Sequence, residues 1–283
     1  MKMNQQELDS ARILIDLALK EDVGTGDITT DNLVPSGIRK QAELRAKGEG
    51  VIAGLEVAQM VFLSFEPGLK WTPLVNDGDR VMKGDVIVTF EADYKTLLTG
   101  ERTALNFLQR MSGIATAAAL YQKILEHTTT RILDTRKTLP GFRLLDKYAV
   151  KAGGALNHRF GLYDMVMIKD NHIAVAGGIQ QAVKEIRNKV AKQVQIEVET
   201  CSLMDVEDAI SAGADIIMLD NMDNETMQKA VLLINGRAKT EASGNMSPER
   251  LLEVAATGVD FISVGALTHS VKALDISQTI FPD

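Results

Sequence analysis

The chain of 283 residues has a single cysteine, Cys201. One thiol forbids an intramolecular disulfide and supplies too few thiolates for a structural zinc site, which favours a reducing, cytoplasmic setting. No run of about 18 apolar residues occurs, so no membrane span is expected. Residues 1–20 pattern as an amphipathic helix (Leu8, Ile13, Leu14, Leu17, Ala18) broken by Glu7, Asp9, Arg12 and Asp16. The uninterrupted apolar core of a signal peptide is therefore missing. No tract is of low complexity, and 45% hydrophobic with 24% charged residues is the composition of a chain that folds throughout. Basic residues are not in excess: 31 Lys and Arg against 38 Asp and Glu give 31 − 38 = −7. That sign argues against a chain-wide grip on nucleic acid or an anionic membrane, so an anionic ligand needs a local basic cluster.

What is present divides at about residue 113. Before it, a helix mixes with short strands and turn signals such as Pro67-Gly68, Asp77-Gly78 and Lys83-Gly84. After it, short apolar runs alternate with amphipathic stretches, as in repeated βα units. We read strands at 131–134, 165–168, 194–198, 215–219, 239–242 and 260–264. Six are fewer than the eight of a closed barrel, so the expectation is an incomplete α/β barrel, with an open doubly wound sheet as the competing layout.

In parallel α/β architectures ligands lie at the carboxyl ends of the strands. There the sequence is polar: Asp134, Arg136 and Lys137 after the first run, Lys169, Asp170, Asn171 and His172 after the second. Glu199 and Asp220 follow the third and fourth. Ser243-Gly244 and Gly265-Ala266 follow the fifth and sixth, small enough for backbone N–H groups to approach a phosphate. Residues 131–170 hold eight Lys/Arg against four Asp, 8 − 4 = +4 inside a −7 chain. Lys147 and Lys151, at i and i+4, read as an exposed helix face and are set aside. Glu197 is read as pointing away from Glu199 and is also set aside. Arg136, Lys137, Arg159 and Lys169 remain, a set suited to a ligand with phosphates and carboxylates and a bridging divalent metal. His158-Arg159 precedes the second strand, so either its segment folds back or one strand is missing from this reading.

The series Asp134-Thr135-Arg136-Lys137-Thr138-Leu139-Pro140-Gly141, Gly153-Gly154-Ala155-Leu156-Asn157-His158-Arg159 and Lys169-Asp170-Asn171-His172 resembles the quinolinate phosphoribosyltransferase family. Gly26-Asp27-Ile28-Thr29-Thr30, Gly100-Glu101-Arg102-Thr103-Ala104-Leu105-Asn106, Glu197-Val198-Glu199, Glu241-Ala242-Ser243-Gly244 and Gly265-Ala266-Leu267-Thr268-His269-Ser270 extend the likeness over nearly the whole chain. The resemblance implies an N-terminal α/β sandwich (1–112, joined by a returning tail at 271–283) and an incomplete barrel (113–270). It implies transfer of phosphoribose from 5-phosphoribosyl-1-pyrophosphate to quinolinate with loss of CO2 and pyrophosphate, giving nicotinate mononucleotide in NAD biosynthesis. It also implies Mg2+ and a homodimer in which Arg102 serves the neighbouring subunit.

On this reading Arg102, Arg136, His158, Arg159 and Lys169 clamp the two carboxylates, and Lys137 faces the pyrophosphate or a carboxylate. Glu199 and Asp220 hold ribose hydroxyls and Mg2+, while Ser243, Gly244, Gly265 and His269 cradle the 5-phosphate. Lys137, Lys169, Glu199 and Asp220 form the catalytic group. His172 either touches substrate or steadies its loop, and Cys201 is inert.

Two other readings compete: a molybdenum-transport-associated paralogue, and a phosphate-binding barrel without turnover. A third starts from Asn76–Asp85, which is similar to hairpins of biotinyl or lipoyl carriers; Tyr94-Lys95 lacks a carrier lysine's context, so the hairpin reads as a reused shape.

Overall fold

The computed structural model describes residues 1–282. In chain order the elements begin α1 (Gln5–Asp22), α2 (Ile28–Leu33), β1 (Arg39–Ala46), β2 (Gly50–Val51), α3 (Leu55–Leu63), β3 (Lys70–Pro73), β4 (Arg80–Val81), β5 (Val86–Asp93) and α4 (Tyr94–Ile124). They continue with β6 (Arg131–Leu133), α5 (Arg143–Ala152), β7 (Val166–Ile168), α6 (Asp170–Ala176), α7 (Ile179–Arg187), β8 (Ile196–Thr200) and α8 (Leu203–Ala212). The last are β9 (Ile216–Asp220), α9 (Asn224–Ile234), β10 (Lys239–Ser243), α10 (Leu251–Ala255), β11 (Phe261–Ser263), α11 (Ala266–His269) and β12 (Ile276–Ile280).

Contacts divide the chain into two compact units. The first takes Met1–Ala119, Thr138–Gly154 and the residues from Leu267 onward. Its main sheet runs β12-β1-β5-β3, all antiparallel, with β2 and β4 paired separately. Asn4 starts α1 by a capping box with Glu7, satisfying two backbone N–H groups that a helix start leaves open. The alternate burial of Val88, Phe90 and Ala92 on β5 faces the sheet toward a cluster of Phe62, Trp71 and Phe90, with ring centroids 4.9–6.0 Å apart.

The Asn76–Asp85 stretch has a structural use. Asp77 is buried and accepts the Gly54 and Leu55 N–H groups and the Tyr148 hydroxyl (2.7 Å). Lys95 lies in the first turn of α4 and not at a hairpin tip, so a carrier lysine has no place there. Lys147 departs from its expected exposed face: it is fully buried, because α5 is covered on nearly every side within this unit. Asp146 beside it takes a bidentate contact from Arg110, at 3.1 and 2.8 Å.

The second unit holds Leu120–Lys137 and Ala155–Ala266. Its six strands are all parallel, in the order β6-β11-β10-β9-β8-β7, with helices following the strands. This is the incomplete barrel expected from the pattern. The third and fourth strands sit one to two residues later than read, which draws Glu199 and Asp220 inside β8 and β9.

The segment before β7 folds back along the open edge of β6. Leu156 bridges Leu133 in parallel, its N–H on Ile132 O (2.9 Å) and its O receiving the Asp134 N–H (3.1 Å). A strand one bridge long thus carries His158 and Arg159 to the carboxyl end of β6.

Candidate active site

Every strand of the second unit delivers polar groups at its carboxyl end. Arg136 and Lys137 follow β6, Lys169 follows β7, Glu199 and Asp220 lie in the last turns of β8 and β9, Ser243 ends β10, and Gly265 follows β11. Lys169 Nζ pairs with Glu199 at 2.8 Å, the cation half-exposed and the carboxylate mostly buried. His172 accepts the Lys169 main-chain N–H on Nδ1 (3.0 Å), so its ring steadies the turn into α6. Asp220 receives the Asn221 amide at 2.7 Å, and the Asn221 N–H bonds Ser243 O at 2.9 Å, tying two neighbouring loops together. Gly244 has φ +104°, and a Cβ there would stand 2.2 Å from Asn221 Oδ1; the small residue keeps this loop open to an anion. Exposed Cys201 has its thiol pushed up by burial and then by Asp220, Glu199, Asp205 and Asp170, which shows where the carboxylates gather.

The Arg136 charge reaches Arg159. Desolvation, then the Arg136 charge, lowers the Arg159 pKa, against the opposing pull of Glu197 and Asp164. Arg159 is steered by Nη1 on Met165 O at 3.0 Å.

His158 lies deeper than a clamp residue would. Its side chain is 7% exposed, and Nε2 stands 2.9 Å from Glu197 and 3.4 Å from Glu241, both with no exposed side-chain surface. Asp134, also fully buried, accepts the His158 N–H at 2.8 Å, and His158 Nδ1 accepts the Arg159 N–H at 2.7 Å.

Burial works against a charged ring, but the two glutamates outweigh it and raise the His158 pKa; burial, then Glu241, pushes Glu197 up to about 7.

Glu197 was misjudged from sequence because residues two apart on a strand share a face. By the same rule Glu241 shares a face with Ser243, and that signal was available. Two expected residues belong to the first unit. Arg102 is exposed on α4, and His269 is exposed on α11 with Nδ1 2.7 Å from the Ser270 hydroxyl.

Fold and site together define a class: a barrel enzyme that handles a small, multiply anionic substrate at the carboxyl ends of its strands. Residues 27–112 match the family profile of the quinolinate phosphoribosyl transferase N-terminal domain, and residues 114–279 match that of its C-terminal domain. The chain belongs to the quinolinate phosphoribosyltransferase family.

It is 45% identical to a probable nicotinate-nucleotide pyrophosphorylase (carboxylating) of Bacillus subtilis, over 92% of this chain and 90% of the relative. It is 44% identical to quinolinate phosphoribosyltransferase (decarboxylating) 1b of Nicotiana tabacum, over 94% and 81%. Among solved structures, NadC from Streptococcus pyogenes superposes with a TM-score of 0.94 at 40% identity, covering 100% of both chains. Human nicotinic acid phosphoribosyltransferase shares the fold alone, at 12% identity and TM-score 0.60, over 99% of this chain and 74% of that one.

Proposed function

We propose that the protein transfers phosphoribose from 5-phosphoribosyl-1-pyrophosphate to quinolinate, releasing pyrophosphate and CO2 and forming nicotinate mononucleotide for NAD biosynthesis. The observation that carries this reading is the delivery of Arg136, Arg159 and Lys169 to the carboxyl ends of parallel strands, with the Arg136 charge felt at Arg159. Two guanidinium forks within reach of each other's charge suit adjacent carboxylates on one ring, which relieve the repulsion. The curated relatives bear the names of this activity. They favour it over a transport-associated paralogue or a binding protein.

Arg136, Arg159 and Lys169 orient quinolinate with its ring nitrogen toward the ribose C1. Ser243, Gly244 and Gly265 offer backbone N–H groups to the 5-phosphate. As the C1–pyrophosphate bond breaks, positive charge grows on C1 and the ring oxygen, which Glu199 and Asp220 stabilise while Lys137 and Lys169 take up charge on the departing pyrophosphate. The pyridine nitrogen closes the bond to C1 and becomes cationic. Its positive charge then stabilises the electron pair left on the ring carbon when the 2-carboxylate departs as CO2, and a proton from solvent adds to that carbon. Positioning dominates over acid–base catalysis.

Glu199 and Asp220 also fit Mg2+, a hard cation commonly held by one or two carboxylates with the remaining positions filled by water and substrate phosphate. When bound, the ion neutralises charge on the pyrophosphate. Chelation should stop turnover and MgCl2 restore it. Arg102, exposed on α4, is offered to the site of a neighbouring copy in a homodimer. A mixture of Arg102→Ala and Lys169→Ala proteins should then recover activity that neither has alone. A single free thiol, with no second cysteine to pair with, suits a cytoplasmic location.

The deciding experiment incubates the protein with quinolinate, phosphoribosyl pyrophosphate and Mg2+ and follows nicotinate mononucleotide by chromatography, with nicotinic acid replacing quinolinate in parallel. Product from quinolinate alone is expected; product from nicotinic acid alone overturns the dicarboxylate clamp.

A further inference from the structure

β9 and β10 lie side by side, with Asp220 opposite Ser243 in the last pair of their parallel register. On the function proposed above, these strand ends hold the two ends of one ribose 5-phosphate: hydroxyls at Asp220, phosphate at the Ser243-Gly244 turn. Asn221 stands between them. Its backbone leaves β9 at φ +53°, a left-handed conformation that asparagine tolerates better than most side-chain-bearing residues. Its N–H still reaches Ser243 O (2.9 Å), one step beyond the register, so the exit from β9 stays attached to β10. Its side-chain amide donates to Asp220 Oδ2 at 2.7 Å, and its Oδ1 fills the space that a Cβ on Gly244 would need. One side chain thus touches both halves of the phosphoribose cradle. Arg250 Nη1 holds the Gly244 and Asn245 carbonyls at 3.4 and 3.2 Å, so the turn that Asn221 meets is already tied at its exit.

We propose that Asn221 is a positioning residue for phosphoribosyl pyrophosphate: it fixes the Asp220 carboxylate relative to the Gly244 turn, so that the ribose hydroxyls and the 5-phosphate are engaged together.

Three properties of asparagine are used at once. The backbone needs a residue that accepts a positive φ. The carboxylate needs an N–H donor, which occupies Oδ2 and leaves Oδ1 to a ribose hydroxyl or Mg2+. The turn needs a short side chain that lies flat against a glycine. Glycine at 221 would meet the first need alone. Aspartate would meet the first and third, but it exchanges the donor for a second negative charge beside Asp220.

This inference rests on the proposed function, because it takes phosphoribosyl pyrophosphate as the ligand. Its test is a double-mutant cycle on binding, read by calorimetry with phosphoribosyl pyrophosphate and Mg2+. Phthalate is present at saturation; it carries quinolinate's two carboxylates but no ring nitrogen, so it fills the clamp without reacting. Asn221→Gly, whose backbone suits φ +53°, should weaken phosphoribosyl pyrophosphate about 10-fold, the worth of one hydrogen bond to a charged group. Asn221→Asp, which keeps the shape and loses the donor, should weaken it at least as much. Asp220→Asn retains an acceptor oxygen and leaves Glu199 in place, so binding stays measurable. In that background Asn221→Gly should cost no more than about 2-fold further, and phthalate affinity should hold within about 2-fold in every variant.

Wild-type affinity for phosphoribosyl pyrophosphate in Asn221→Gly or in Asn221→Asp overturns the proposal. An equal loss with and without the Asp220 carboxylate also overturns it, since Asn221 would then not act through Asp220. A parallel loss of phthalate affinity does the same, by marking a general structural defect. A wild-type protein that binds phosphoribosyl pyrophosphate but makes no nicotinate mononucleotide defeats the proposed function and leaves the cycle to decide the role of Asn221; one that binds none defeats both.

Discussion

Arg159 shows why a cation at this site must be a guanidinium. Nη1 is occupied by Met165 O at 3.0 Å and Nη2 rests on Met167 Sδ at 3.7 Å, a weak acceptor that a carboxylate can displace in a fixed plane. Lysine keeps the charge but has a single tip for both tasks. Arg159→Lys is therefore expected to raise the quinolinate KM about 10- to 100-fold, the worth of one charge-assisted hydrogen bond, with folding unchanged; steady-state kinetics beside a thermal melt checks it.

Tyr148 and Asp77 make the corresponding case for stability. Burial raises the Asp77 pKa, opposed by the Tyr148 hydroxyl and the Gly54 and Leu55 N–H groups. Tyr148→Phe removes one of these donors and should cost about 1–3 kcal/mol in urea unfolding. A raised folded pKa means a contribution that is complete in acid and lost as pH rises through it. Losing the donor raises that pKa further, so the variant's deficit should be largest at neutral pH and shrink toward acid. Single residues at strand ends, Lys169 and Glu199 among them, were legible in sequence because polar groups after apolar runs stand out. Glu197 was legible in principle through its two-residue spacing from Glu199, whereas His158's burial was not, because it depends on glutamates from strands far apart in sequence.

Elements were legible where they were long enough to leave a period. The six barrel strands could be placed to within about two residues because each is an apolar run between glycine-marked turns. The Leu156 strand could not, since a single bridge leaves no pattern; its existence was signalled only by His158 and Arg159 standing before a strand and not after it. β12 gave a different difficulty: Ile276–Ile280 has an ordinary strand composition, but only the fold shows it pairing with β1 from Ala46↔Ile276 to Ala42↔Ile280. The path into β12 passes over Gly113 of α4. A Cβ at Gly113 would stand 2.3 Å from Lys272 O and 2.9 Å from Ala273 Cα. Alanine in a helix interior normally gains up to about 1 kcal/mol over glycine. Here the clash is with backbone and cannot be relieved by turning a side chain, so overpacking should prevail at about 1–3 kcal/mol. Gly113→Ala is thus expected to lower the melting temperature, with faster amide exchange in 272–280 as the local signature.

At the scale of the whole molecule, one property acts in two directions. The chain carries −7, yet Arg136, Lys137, Arg159 and Lys169 stand together at the carboxyl ends of the second unit's strands. Added salt screens both fields, since the Debye length falls from about 10 Å at 0.1 M to about 3 Å at 1 M. Screening the net charge relieves self-repulsion and favours the folded state. Screening the local cluster weakens the capture of substrates that are themselves anions. Raising KCl tenfold from a low-salt buffer should therefore leave the melting temperature level or slightly higher while the KM values for quinolinate and phosphoribosyl pyrophosphate both climb several-fold and kcat holds. Parallel melts and kinetics across one salt series check the two signs together. A falling melting temperature with unchanged KM values would mean that ion pairs such as Lys239–Asp260 (2.7 Å) govern the salt response, and that the four cations capture substrate by contact alone.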